Sequence, residues 1–257
     1  MIDLFDTHAH LHFPHFADDL PATLDRASAA GVGRLVNIGT DVTTSRASIA
    51  LAGAHQTVWA TVGVHPTHAA EVSEADLAEI ERLASVPRVV AIGEMGLDFF
   101  HQDAPRDVQE RIFRWQLDLC RRLGKPAVIH CRDAYPETLA ILGDERVADV
   151  GGVMHCFLGG VDIARRCLDL NLVISMAGPV TYPSSRQLPD VVRAVPADRL
   201  VVETDCPFLP PQGHRGKRNE PAYVALTAAR VAELRGEPLE ALAERTTENG
   251  RRLFRVP

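Results

Sequence analysis

The sequence predicts a single α/β domain spanning 1–257, built as a TIM-type (β/α)8 barrel. Three observations carry that prediction. Eight short β-branched runs alternate with longer helical stretches along the chain. Eight parallel strands close a barrel, and such barrels need about 250 residues; this chain has 257. Histidines and carboxylates gather at the C-terminal ends of the runs, where the strand-to-helix loops of a barrel converge.

The runs come in order: IDLFDTH (2–8), RLVNIG (34–39), VWATVGVH (58–65), RVVAIGEMG (88–96), PAVIHC (126–131), GGVMHCF (151–157), NLVISMAG (171–178) and RLVVETDC (199–206). Between them lie segments such as DDLPATLDRASAAG, EADLAEIERLAS and QERIFRWQLDLCRRLG. Their apolar residues recur at three and four, the helical period, which makes the apolar residues of IFRWQLDL core-facing. Gly31, Gly124 and Gly143 fall where helices should stop. After Leu209 comes a polar loop, then helices from Pro221 onward. No linker or low-complexity tract marks a second domain. A doubly wound open sheet is the architectural alternative, but its glycine-rich turn after the first strand is here a run of histidines.

Composition narrows the function. The chain is 46% hydrophobic and 24% charged, ordinary for a protein with a large core. No apolar run nears the roughly 20 residues of a membrane span. The acidic start MIDLFDTHAH lacks the basic region of a secretory signal. Five scattered cysteines suggest a reducing compartment, so a cytoplasmic setting is expected. The net charge of −7 excludes a broad duplex-coating surface and leaves room only for local nucleic-acid contact.

DTHAHLHFPHF (6–16) holds four of the eleven histidines. His8 and His10, two apart on a strand, point the same way and reach one ion together. His12 and His15 lie past the strand end, in a loop at the rim of the cleft. His65 ends the third run, Glu94 the fourth, His130 the fifth, His155 the sixth and Asp205 the eighth. Mixed nitrogen and oxygen donors suit zinc, manganese or similar ions. Glu94 has two oxygens with which to bridge two ions, and ions about 3.5–4 Å apart clamp both oxygens of a hydrolytic displacement. Asp6 and Glu203 share the phase of neighbouring ligands. Asp6 either orients an imidazole or makes a strand-core hydrogen bond. Asp98 and Arg132 follow ligand strands and help to shape the site, whereas His55 and His101 read as surface. Cys131, Cys156 and Cys206 each follow a proposed ligand, and strand alternation turns them outward, against a thiol nucleophile.

The motifs DTHAH, TVGVHP, AIGEMGLDF, PAVIHCRDA, GGVMHCF and VVETDCPFLPP, followed by HRGKRNEP, resemble the TatD family of metal-dependent deoxyribonucleases, one of the amidohydrolase-like barrels. The likeness runs from Asp6 to about Phe254. It implies a TIM-type barrel, a divalent-metal centre and phosphodiester hydrolysis on DNA, often 3′→5′. The family's ligands fall on His8, His10, Glu94, His130, His155 and Asp205, and its GVHP histidine, tied to substrate handling or catalysis, falls on His65. His12 departs from the pattern, since many relatives carry an acidic residue there.

The expected enzyme therefore holds two divalent ions (Zn, Mn or Mg) and cleaves DNA ends or short oligonucleotides, with Asp205, His65 and Glu94 as catalytic groups. No protein partner or membrane is implied. Arg215, Lys217 and Arg218, in an otherwise acidic protein, are expected to hold phosphates flanking the scissile one. Two other functions use the same ligands. One is a C–N hydrolase acting on a small cyclic amide or nucleobase, although such enzymes often bridge their metals with a modified lysine where this chain has Glu94. The other is a metal-loaded binding protein without turnover.

Overall fold

The computed structural model describes residues 2–101 and 103–257. Its strands are β1 (Leu4–Ala9), β2 (Val32–Asn37), β3 (Val58–Val62), β4 (Val89–Asp98), β5 (Ala127–Arg132), β6 (Gly152–Met154), β7 (Leu172–Met176) and β8 (Leu200–Val202). They follow one another in chain order in one sheet. The pairs β1–β2, β3–β4, β4–β5, β5–β6 and β7–β8 are parallel. A parallel bridge from Ala9 to Cys206 joins the end of β1 to the chain just past β8. With a helix after each strand, this is the (β/α)8 barrel the sequence predicts.

The helices are α1 (Leu20–Ala29), α2 (Val42–Ala54), α3 (Glu74–Ala84), α4 (Arg106–Leu123), α5 (Tyr135–Asp144), α6 (Val161–Asp169), α7 (Leu188–Ala194), α8 (Val224–Arg235) and α9 (Leu239–Phe254). The chain packs as two compact units. One comprises the chain up to Asn37, Cys156–Arg165 and Ile174–Pro257; the other comprises Ile38–His155 and Arg166–Val173.

In the first unit, β1 is buried along its whole length. Helix α9 lies against it: Phe254 meets the Phe5 ring at 5.9 Å, and Thr247 donates to the carbonyl of Asp3 at 2.9 Å. A Cβ on Gly250 would come within 2.7 Å of the Phe5 ring, so glycine permits this approach. Thr7 reaches across to the carbonyl of Val202 at 3.0 Å.

In the second unit, α2 and α3 begin with reciprocal caps, Asp41 with Thr44 and Ser73 with Asp76. Helix α4 buries Ile112, Phe113 and Leu117 and stops at Gly124 in the left-handed region. It also buries Gln109 and Gln116. Gln116 accepts from the N–H of Val64 at 2.8 Å and donates to its carbonyl at 3.0 Å. Gln109 does the same for Asp98, at 2.9 and 3.0 Å. Each amide thus replaces a missing strand neighbour for backbone at a strand end. Gly96 allows β4 and β5 to meet, since a Cβ there would fall 1.9 Å from the carbonyl oxygen of His130.

Two strands are less than half as long as their sequence runs. The runs 151–157 and 199–206 yield only Gly152–Met154 and Leu200–Val202. Cys156 and Asp205 have φ of 42° and 59°, which turns the chain out of the pleat. Strand alternation therefore does not set the direction of their side chains. Cys206 is nevertheless fully buried, and burial raises its thiol well above the usual range.

Candidate functional site

The first unit gathers three ligand-type side chains. His8 lies within β1 and His10 one residue past its end. Extended backbone aims both rings the same way, and their Nε2 atoms are 3.2 Å apart. Asp205 places Oδ1 at 3.6 Å from His8 Nε2 and 3.5 Å from His10 Nε2. Backbone bonds hold the three together: the N–H of Asp205 donates to the His8 carbonyl at 2.9 Å, and the N–H of His10 donates to the Cys206 carbonyl at 2.8 Å. All three residues are buried.

Further carboxylates and amides fix this frame. Asp6 accepts from the Thr204 hydroxyl at 2.6 Å, the Thr204 N–H at 2.9 Å and the His8 N–H at 3.3 Å. It therefore makes the strand-core hydrogen bonds, and burial pushes its carboxyl up to about 8. Glu203 accepts from the N–H of Cys156 at 2.7 Å and the hydroxyl of Ser175 at 2.5 Å. Beyond His10, Asn37 accepts from the N–H of Leu11 at 2.7 Å and lies 3.1 Å from His12 Nδ1. His12 is half-buried and His15 exposed, a loop-and-rim placement.

The second unit gathers a second group around one oxygen. Glu94 Oε1 lies 2.9 Å from His155 Nε2, 3.0 Å from His130 Nδ1 and 3.5 Å from His65 Nε2. His155 Nε2 and His130 Nδ1 are 3.4 Å apart. Asp98 Oδ2 lies 3.1 Å from His130 Nε2 and 2.9 Å from His101 Nδ1. A carboxylate on the far nitrogen of a ligating imidazole fixes its ring, as outer partners do in metal sites. Burial disfavours a proton on His130, but Asp98 and Glu94 outweigh it and raise its pKa. Asp98 itself, despite its burial, is held below the usual carboxylate range by hydrogen bonds from His130 and His101.

His65 follows Val64, whose backbone Gln116 clamps. The Thr67 N–H donates to His65 Nδ1 at 3.2 Å. In the neutral ring that leaves the proton on Nε2. Burial, helped by neighbouring His130, pushes His65 down to about 3, so it stays neutral near pH 7. It is therefore equipped to donate a hydrogen bond to an anionic oxygen, not to supply a cation.

Both groups fit a divalent ion. Imidazole–metal bonds of 2.0–2.1 Å place the ligand atoms of a tetrahedral site about 3.3 Å apart. The edges of the first triangle are 3.2, 3.5 and 3.6 Å. Those of the second are 2.9, 3.0 and 3.4 Å. Either set of three donor atoms would therefore suit a single divalent ion.

The loop after β8 divides its cations. Arg215 and Lys217 are exposed, and the Arg215 guanidinium lies 4.8 Å from the centre of the Tyr182 ring. Arg218 instead meets both carboxylate oxygens of Asp19, at 2.7 and 2.8 Å, and packs 4.6 Å over Phe16. Asn219 donates to the carbonyls of Thr204 at 2.8 Å and Phe208 at 2.6 Å, tying the loop to the end of β8. Sequence reasoning passed over Asn37, Gln109, Gln116 and Asn219; His101 is exposed, as expected, although its ring meets Asp98. The two glutamines carried a signal: they are seven apart and share the helical phase of Ile112 and Phe113.

A parallel barrel whose strand ends present imidazole and carboxylate donors is the architecture of a metal-dependent hydrolase. The chain belongs to the TatD-related DNase family, whose model matches residues 5–255. It is 44% identical over 253 residues to the uncharacterized metal-dependent hydrolase YabD of Bacillus subtilis, covering 98% of this chain and 99% of that one. It is 40% identical over 258 residues to the 3′-5′ ssDNA/RNA exonuclease TatD of Enterobacter lignolyticus, covering 98% and 99%. The crystal structure of YJJV, a TatD homolog from Escherichia coli K12, superposes with a TM-score of 0.94 at 33% identity, covering 99% of this chain and 98% of that one.

Proposed function

We propose that the protein is a 3′→5′ exonuclease that removes nucleotides from single-stranded DNA ends and carries two divalent ions, Zn, Mn or Mg. His8, His10 and Asp205 would hold one ion; Glu94, His130 and His155 would hold the other. The observation that carries this reading is the pair of donor triangles whose edges match metal coordination. Divalent ions held there would supply Lewis-acid polarisation of the phosphoryl group and a lower pKa for the attacking water.

The chain's own residues supply the rest. Asp205 orients the attacking water and takes its proton. Neutral His65 donates from Nε2 to a phosphate oxygen as negative charge grows. Asp98 keeps the His130 ring in place. Arg215 and Lys217 hold phosphates beside the scissile one, and Arg218 anchors their loop through Asp19. The free cysteines support a cytoplasmic setting. Among the described residues, no helix is long and apolar enough to cross a membrane.

The test is an assay on 5′-labelled single-stranded DNA and RNA in Mn, Mg or Zn, with cyclic amides in parallel. Stepwise shortening from the 3′ end is expected. Cleavage of amides alone would overturn the reading, as would metal binding without any turnover.

A further inference from the structure

Three large apolar side chains stand exposed among the described residues: Phe100, Phe208 and Leu226. A lone exposed phenylalanine is ordinary on a protein surface. The setting of Phe208 is not. It lies three residues past Asp205, its N–H donates to the Asp205 carbonyl at 2.9 Å, and its own carbonyl accepts from Asn219 at 2.6 Å. Both backbone groups are thus pinned, while the residue remains 46% exposed. Burying this apolar side chain in the core would be favourable, yet the loop holds it outward.

The ring also has aromatic company. Phe13, in the loop after β1, stacks on the His10 ring at 5.1 Å and 14°. Phe208 stands edge-on to Phe13 at 5.7 Å and 78°, and its centroid is 6.1 Å from that of His10. Two phenylalanines therefore form a right-angled wall beside an imidazole whose Nε2 belongs to the first donor triangle. The same loop carries the exposed cations Arg215 and Lys217. Aromatic faces interleaved with local positive charge, in a chain of net charge −7, match a single strand whose bases stack and whose phosphates are neutralised.

We propose that Phe208, backed by Phe13, is a stacking platform for the nucleobase next to the scissile phosphate. This rests on the exonuclease reading and specifies its substrate. Every base presents a π-face, so the platform accepts all four bases and rejects a residue that has none. Only an unpaired base lies flat on it, so a duplex end must first give up its terminal pair.

The experiment compares a single-stranded oligonucleotide with the same strand carrying an abasic residue at its 3′ end, for the unmodified protein, Phe208→Ala and Phe208→Trp. The unmodified protein should prefer the base-bearing end by about 5- to 100-fold in kcat/KM, the range expected for one base–aromatic stack. In Phe208→Ala that ratio should fall toward one; in Phe208→Trp it should persist. A second readout needs no turnover: with chelator present, Trp fluorescence of Phe208→Trp should be quenched by the base-bearing strand and not by a fully abasic one. An unchanged ratio in Phe208→Ala, or quenching by both strands alike, overturns the platform. An unmodified protein that cleaves no phosphodiester overturns the exonuclease reading instead.

Discussion

At the scale of single residues, Asp205 and Glu94 can be separated by what their loss does. Asp205→Asn keeps the shape of the side chain but cannot accept a proton. We expect turnover to drop about 10²–10⁴-fold at saturating metal, with an unchanged circular dichroism spectrum. Near-normal turnover would remove Asp205 from proton transfer. Glu94→Ala takes away the oxygen that lies 2.9 and 3.0 Å from His155 and His130. Metal analysis should find one or both ions lost while the fold persists, and full metal occupancy would refute a ligating role. The candidate ligands were legible because each ends a hydrophobic run, where a histidine or carboxylate has no reason to be in a plain core. The partners of Asp98 were harder to read. The Asp98–His130 contact joins residues 32 apart in sequence, and periodicity carries no information about such a pair.

At the scale of elements, α4 and the loop after β8 carry distinct predictions. Gln116 satisfies both backbone groups of Val64 inside the protein. Gln116→Leu would leave a buried donor and a buried acceptor unpaired, at about 1–3 kcal/mol each. The urea midpoint should fall by that sum divided by the unchanged slope, and kcat should fall with it because His65 is the next residue. A midpoint within error of the unmodified protein would show that the clamp contributes nothing. The β8 loop is testable by pH. Hydrogen bonds from Arg218 first, and then from Arg26, hold Asp19 below its usual pKa of 3.8. A carboxyl depressed on folding stabilises the protein above the unfolded pKa and loses that contribution as pH falls toward the folded value. The tether should therefore survive at pH 4 and release only in stronger acid. Carbon NMR of the Asp19 carboxyl should show a midpoint well below 3.8, moving up in Arg218→Ala; an identical midpoint in both proteins would contradict the tether. Strand boundaries were the least legible part of the elements, because the left-handed turns at Cys156 and Asp205 occur at residues that carry no glycine-like signal.

At the scale of the whole molecule, the two units interleave along the chain, the first drawing on three separate stretches and the second on two. Neither is a continuous piece of chain, and the single domain expected from the sequence predicts one cooperative unfolding transition. Ions that bind only the folded form should raise it, by about 2.7 kcal/mol at a free concentration of 100 times Kd. Melting with and without chelator checks both points. Two separable transitions would argue for two domains, and a chelator-independent midpoint would argue against bound metal. The alternation of eight runs made the barrel legible from the sequence, since a repeated local pattern survives in one dimension. The residues that make its closing contact were not, because the Ala9–Cys206 bridge joins positions far apart in the sequence.

That closure bears on how the protein is made. The strand carrying His8 and His10 is made long before the partners that complete it: Thr7 waits for Val202, 195 residues later. The helix that covers Phe5 comes later still. At 5–20 residues per second the delay is roughly 10–40 s. During translation His8 and His10 exist without Asp205, so the first donor triangle is incomplete until the chain past β8 has been made.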